Sequence, residues 1–247
     1  MEKCEFYNQI EKYTVRIGIN DDKQTLCGSG ILFPSLTRQE ICILTVAHVM
    51  FPMKQKLENE GSSLCITCKD YSGELHNIIV DDSKAIYIHS KYVEQTGDDN
   101  RQEYFYDSAI IRIPWETWMD KLNGYQLMSR EVGIKLSGYG FPQALDEEKN
   151  RSYADLFAGI GLFEGTIESS NSGRVAVKYN ANVEGEISRD SIMKGYSGTG
   201  LFYLKNQSIY LGGIVSCSRG SRAAGYSLWA TDIETLCEVM SEMDIEV

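Results

Sequence analysis

A chain of 247 residues that is 43% hydrophobic and 24% charged can bury a sizeable core, which excludes a disordered chain. Its 35 acidic residues against 24 basic ones give a formal charge of −11, which argues against a nucleic-acid partner, because phosphate binding needs clustered Lys and Arg. No run approaches the ~20 apolar residues of a membrane span, and Met1-Glu2-Lys3-Cys4-Glu5-Phe6 lacks a secretory leader's basic and apolar pattern, so no membrane partner is expected. The seven cysteines (Cys4, Cys27, Cys42, Cys65, Cys68, Cys217, Cys237) are odd in number and sit mostly in apolar segments. They read as mostly buried, reduced thiols in a cytoplasmic protein.

In chain order, residues 1–12 read as a short polar lead-in. Residues 13–19 alternate as a half-buried strand does, and 25–33 and 40–46 follow as two more strands that deliver His48. Residues 50–61 have the pattern of a short helix. Strands are expected over 63–68, 76–80 and 85–89, then a polar loop over 97–102, and Asp107 enters the next strand. Residues 114–129 show no alternation and connect two halves. A second set of strands is expected over 132–137, 162–168, 174–179, 200–203, 209–216 and 225–230. Thr231 and Glu234 are spaced as a capping box, and Ile233, Leu236, Cys237 and Met240 share one face of a closing helix. Many short strands without βαβ alternation imply an all-β protein.

Chemistry concentrates at three places. Gly195-Tyr196-Ser197-Gly198-Thr199-Gly200 sets one serine among glycines, where a tight turn can present a hydroxyl beside consecutive N–H groups. Leu44-Thr45-Val46-Ala47-His48-Val49 ends an apolar run on a histidine, and Asp107-Ser108-Ala109-Ile110-Ile111 begins one with an aspartate. In the order His, Asp, Ser, these motifs resemble the signatures of the chymotrypsin/trypsin-like serine protease family.

The resemblance implies one peptidase domain over the chain. It would consist of two antiparallel six-stranded β-barrels packed side by side, over 1–118 and 130–230, with a C-terminal helix over 231–243. It further implies a cleft site in which Ser197 attacks a peptide carbonyl, His48 moves the proton, and Asp107 fixes the imidazole. The N–H groups of Gly195 and Ser197 would form the oxyanion hole, with no metal or cofactor and with a protein or peptide as substrate. Carried over by spacing, Ser191 is the base of the specificity pocket, and Ser216, Cys217, Ser218 and Gly225 line its wall. A neutral base favours an uncharged side chain of small or medium size. Asp190 at the base would instead select Lys or Arg, and Arg219 an acidic residue.

Two departures from the family pattern matter. Cys27 matches the family's cysteine before the histidine, but Val49 stands where its partner would be, so that bridge cannot form. Tyr196 replaces the aspartate that pairs with a freshly cut N-terminus in secreted members, so activation by clipping is not expected. Either the hole is preformed, or a partner protein or ligand orders it. Tyr196 also motivates a rival reading, a catalytically silent protease-like fold used for binding. An esterase with the same three residues is a second rival. His76 and His89 read as core histidines and Asp98 and Asp99 as solvated loop residues. Cys65 and Cys68 read as buried thiols, because residues three apart on a strand face opposite sides.

Overall fold

In a computed structural model of the chain, the described residues are 1–20, 25–34, 40–94, 106–122, 124–128, 132–141, 161–171, 174–179, 195–219 and 227–245. Short apolar runs, most of them buried on both faces, build two largely antiparallel sheets. The first contains β1 (Thr14–Ile19), β2 (Leu26–Pro34), β3 (Glu40–Thr45), β4 (Leu64–Lys69), β5 (Leu75–Val80), β6 (Ile86–Ile88) and β7 (Ala109–Pro114). Its strand order is β5-β4-β1-β2-β3-β7-β6, and it curls into a half-barrel. The second contains β8 (Gln126–Leu127), β9 (Lys135–Gly140), β10 (Gly161–Asn171), β11 (Arg174–Tyr179), β12 (Gly200–Lys205), β13 (Ser208–Arg219) and β14 (Ser227–Thr231). Six of these, in the order β12-β9-β10-β11-β14-β13, close into a barrel through the β12–β13 pairing, and β8 adds a short parallel strand to β13.

The all-β architecture with a closing helix is thus present, with the first sheet having seven strands and remaining a half-barrel. Its apolar side chains continue into the outer faces of β12 and β13, where Phe202, Leu211 and Ile214 join Ile31, Ile43 and Ile110 in one core. A separate cluster fills the closed barrel, where Leu136, Ile167, Val177, Leu201 and Val215 enclose Tyr196.

Three helical segments differ from the sequence expectation. The lead-in, expected only as a short polar segment, is helix α1 (Lys3–Tyr13), because Phe6, Ile10 and Tyr13 recur at helical spacing and all three are buried. Removing residues 1–13 therefore strips three core side chains, each worth about 1.5–3 kcal/mol of burial. A lower Tm without any gain in activity is the expected result, read by thermal unfolding and peptide turnover. Helix α2 (Ala47–Glu60) starts three residues earlier than expected, so His48 sits in its first turn, and it stops at Gly61 in the left-handed region (φ 64°).

The closing helix α3 (Ile233–Glu242) is capped by Asp232, whose carboxylate accepts from the Thr235 N–H at 2.8 Å, not by a Thr231–Glu234 box. Thr231 is the last residue of β14, and its hydroxyl is used elsewhere. Asp232→Ala should cost about 1 kcal/mol, seen as a Tm drop of a few degrees. The expected connection between halves holds a 3-10 segment, Thr117–Lys121, as well as β8. Among the described residues, no helix is long and apolar enough to cross a membrane.

Candidate active site

Asp107 lies two residues before β7 and is 1% exposed, so its carboxylate needs donors to offset the loss of water. It has them. One oxygen, Oδ1, accepts from the His48 backbone N–H at 2.8 Å, which is one of the first N–H groups of α2 that have no partner within the helix. The other, Oδ2, lies 2.8 Å from His48 Nδ1 and also accepts from the Ser216 hydroxyl. Its main-chain carbonyl accepts from the Thr231 hydroxyl at 2.7 Å. Burial pushes the Asp107 carboxyl up, but the adjacent His48 and the hydrogen bonds from His48 and Ser216 outweigh it, and the group is held below the ordinary carboxylate range.

An ionised carboxylate only accepts, so Nδ1 of His48 carries the proton and Nε2 presents its lone pair. Nε2 is 3.1 Å from the Ser197 hydroxyl oxygen. That hydroxyl also lies 3.2 Å from the Ser216 carbonyl, so its single proton has two acceptors. The imidazole is 19% exposed and the carboxylate is fully covered, so the hydrogen-bonded line runs from the interior outward to a reachable oxygen.

The loop carrying Ser197 is anchored on both sides. Tyr196, 4% exposed, roots it in the barrel interior, where the lack of a Cβ on Gly140 makes room for the ring. Gly195 and Gly198 take φ of 92° and 91°, values in the left-handed region that favour glycine. Gly198 N–H donates to the Val215 carbonyl and Ser29 N–H to the Ser197 carbonyl, each at 2.8 Å. Among the described residues, no backbone carbonyl accepts from the N–H of Gly195 or of Ser197.

The structure therefore brings His48, Asp107 and Ser197 together, with Gly195 beside them. Ser216, expected on the pocket wall, is 2% exposed and instead turns its hydroxyl onto Asp107. On β13 its side chain points to the buried face, and its carbonyl faces Ser197. Cys217 and Ser218 belong to β13, pairing with Trp229 and Leu228 of β14, and their side chains are outside the described residues. Ser191, Gly225 and Asp190 lie outside them altogether, as do Asp98 and Asp99. Sequence reasoning did not give Thr231 or Ser29 a part in the site.

The remaining titratable residues sit elsewhere. His89 is buried between Glu238 and Glu242 of α3, at 3.4 and 3.7 Å. His76 stacks on Trp118 and pairs with Asp70 at 3.2 Å. Asp70, Glu74 and His76 are close enough to share a cation, but Asp70 Oδ1 already accepts from Ser72 N–H, the Ser72 hydroxyl and Glu74 N–H. These bonds tie the β4–β5 turn. Cys65 and Cys68 are buried free thiols in β4, and burial pushes the Cys68 thiol far up.

No family model matches the chain, and no curated protein matches it in sequence.

Proposed function

We propose that this protein is a serine endopeptidase, similar to the chymotrypsin/trypsin-like enzymes, that cleaves peptide bonds through an acyl-enzyme on Ser197. The observation that carries this reading is the unbroken line from Asp107 Oδ2 to His48 Nδ1 (2.8 Å) and from His48 Nε2 to Ser197 Oγ (3.1 Å). Nε2 accepts the hydroxyl proton as Oγ bonds to the substrate carbonyl carbon. The imidazolium that results is stabilised by Asp107 and returns the proton to the leaving amine, and water then repeats the cycle to release the acid. The N–H groups of Gly195 and Ser197 hold the negative oxygen of each tetrahedral intermediate. No step requires a metal or cofactor.

The substrate is a protein or peptide, the free thiols suit a reducing, cytoplasmic setting, and a regulated role is what the family resemblance implies. Buried Tyr196 takes the loop position at which secreted relatives place an aspartate, so no cut N-terminus is needed to seat the loop.

The test is cleavage of a diverse peptide library against a Ser197→Ala control. Wild-type protein should cut a subset of peptides and the control none. Turnover of small esters with no peptide cut would make the protein an esterase. Turnover of neither would make it a binding module.

A further inference from the structure

Two N–H groups form the proposed hole, and the carbonyls of the same two residues are both held by one residue of the other sheet. Ser29, fully buried in β2, donates its hydroxyl proton to the Gly195 carbonyl at 2.8 Å and its N–H to the Ser197 carbonyl at 2.8 Å. Its Oγ also accepts from the Phe141 N–H at 3.1 Å, just past the end of β9. Its own carbonyl accepts from the Thr45 hydroxyl at 2.8 Å, three residues before His48. Every polar group of Ser29 is thus engaged, and the partners come from the nucleophile loop, β9 and β3.

We propose that Ser29 is a positioning residue that sets the oxyanion hole, a role that rests on the serine endopeptidase reading above. The mechanism is geometric. A peptide unit is planar, so holding the Gly195 carbonyl fixes the plane on one side of its Cα, and φ and ψ of Gly195 together then relate that plane to the one carrying its N–H. Holding the Ser197 carbonyl does the same for the second N–H. Because one side chain and its own backbone make both bonds, the spacing between the two donors is set by a rigid strand and not by the loop. The Phe141 N–H keeps the Ser29 hydroxyl from rotating away, since that Oγ accepts one bond while it donates the other. Preorganised donors stabilise charge only when they are already aimed at the developing oxygen, so a loosened Gly195 carbonyl should reduce rate more than binding.

The experiment compares Ser29→Ala with wild type, and with Ser29→Cys as a near-isosteric variant whose thiol donates weakly. Each is assayed below its own Tm on the best library peptide. Ser29→Ala should lower kcat by about 10- to 100-fold with KM within about threefold of wild type. It should weaken binding of a peptidyl boronate, whose tetrahedral oxygen occupies the hole, by a similar factor. Ser29→Cys should fall between the two, which also serves if Ser29→Ala does not fold. A merely structural role would move Tm but leave kcat and boronate affinity in place. An active wild type, with variant kcat values within twofold of it or with the loss confined to KM, overturns the role of Ser29 alone. A wild type that neither cleaves peptides nor binds the boronate overturns the endopeptidase reading, and this role with it.

Discussion

Asp107→Asn is expected to lower kcat by about 10⁴-fold while leaving KM nearly unchanged. Its carboxylate accepts from three donors: His48 N–H, His48 Nδ1–H and the Ser216 hydroxyl. An amide replaces one acceptor oxygen with an NH₂ donor. With that NH₂ at Oδ1 it meets the N–H at the start of α2; at Oδ2 it meets both the imidazole and Ser216. The second arrangement drives the imidazole to the tautomer protonated at Nε2, which cannot take the Ser197 proton. Steady-state kinetics on one cleaved peptide measure the loss, and a fall below tenfold would remove Asp107 from the role given it.

The same carboxylate sets an acid limit. Its folded pKa lies below the unfolded value of about 3.9, so its contribution to stability is complete above that value and is lost as pH falls through the folded one. Acid unfolding curves should show this by a shallower pH dependence below about 4 in Asp107→Asn than in wild type.

Gly198→Ala is expected to abolish turnover and lower Tm sharply. Gly198 has φ 91°, and a Cβ there would sit 1.8 Å from the Ser29 carbonyl oxygen and 2.6 Å from the Thr45 hydroxyl. Neither neighbour can move freely, because the first is strand backbone and the second is bonded to that same carbonyl. The left-handed conformation alone costs about 1–2 kcal/mol for a residue with a Cβ, and overpacking adds about 1–3 kcal/mol. The loop must move away from β2, taking Ser197 out of reach of His48. Thermal unfolding and active-site labelling check this together. A variant with wild-type labelling would mean that the loop tolerates displacement.

The parts of the site that could be read from the chain are those whose chemistry is tied to a local motif. A histidine closing an apolar run, an aspartate opening one and a serine among glycines keep their identity whatever the exact strand ends. What could not be read depends on which face a side chain takes. Ser216 looked like a pocket residue by spacing, but the bulge between Val215 and Cys217 and its buried position put its hydroxyl under Asp107. Ser29 stands inside Cys27-Gly28-Ser29-Gly30, and no local signal in that segment marks its hydroxyl, which reaches across to Gly195.

The same contrast holds for the fold. Alternation and short apolar runs bounded by turns located most strands to within a few residues, although most of the strands bury both faces. Helix α1 was passed over because its polar residues outnumber Phe6, Ile10 and Tyr13, although their spacing of four and three was a usable signal. At α3, the cap is Asp232 and not the expected Thr231. Tertiary bonding decided between them by assigning the Thr231 hydroxyl to the Asp107 carbonyl.

The most direct measurement is intact-mass and peptide-mapping analysis of the native protein after exposure to a fluorophosphonate, alongside Ser197→Ala and His48→Ala. One adduct on Ser197 in wild type, absent from Ser197→Ala and formed far more slowly in His48→Ala, is the expected result. A wild-type protein that stays unmodified, or one modified equally fast without His48, would contradict an activated nucleophile at Ser197.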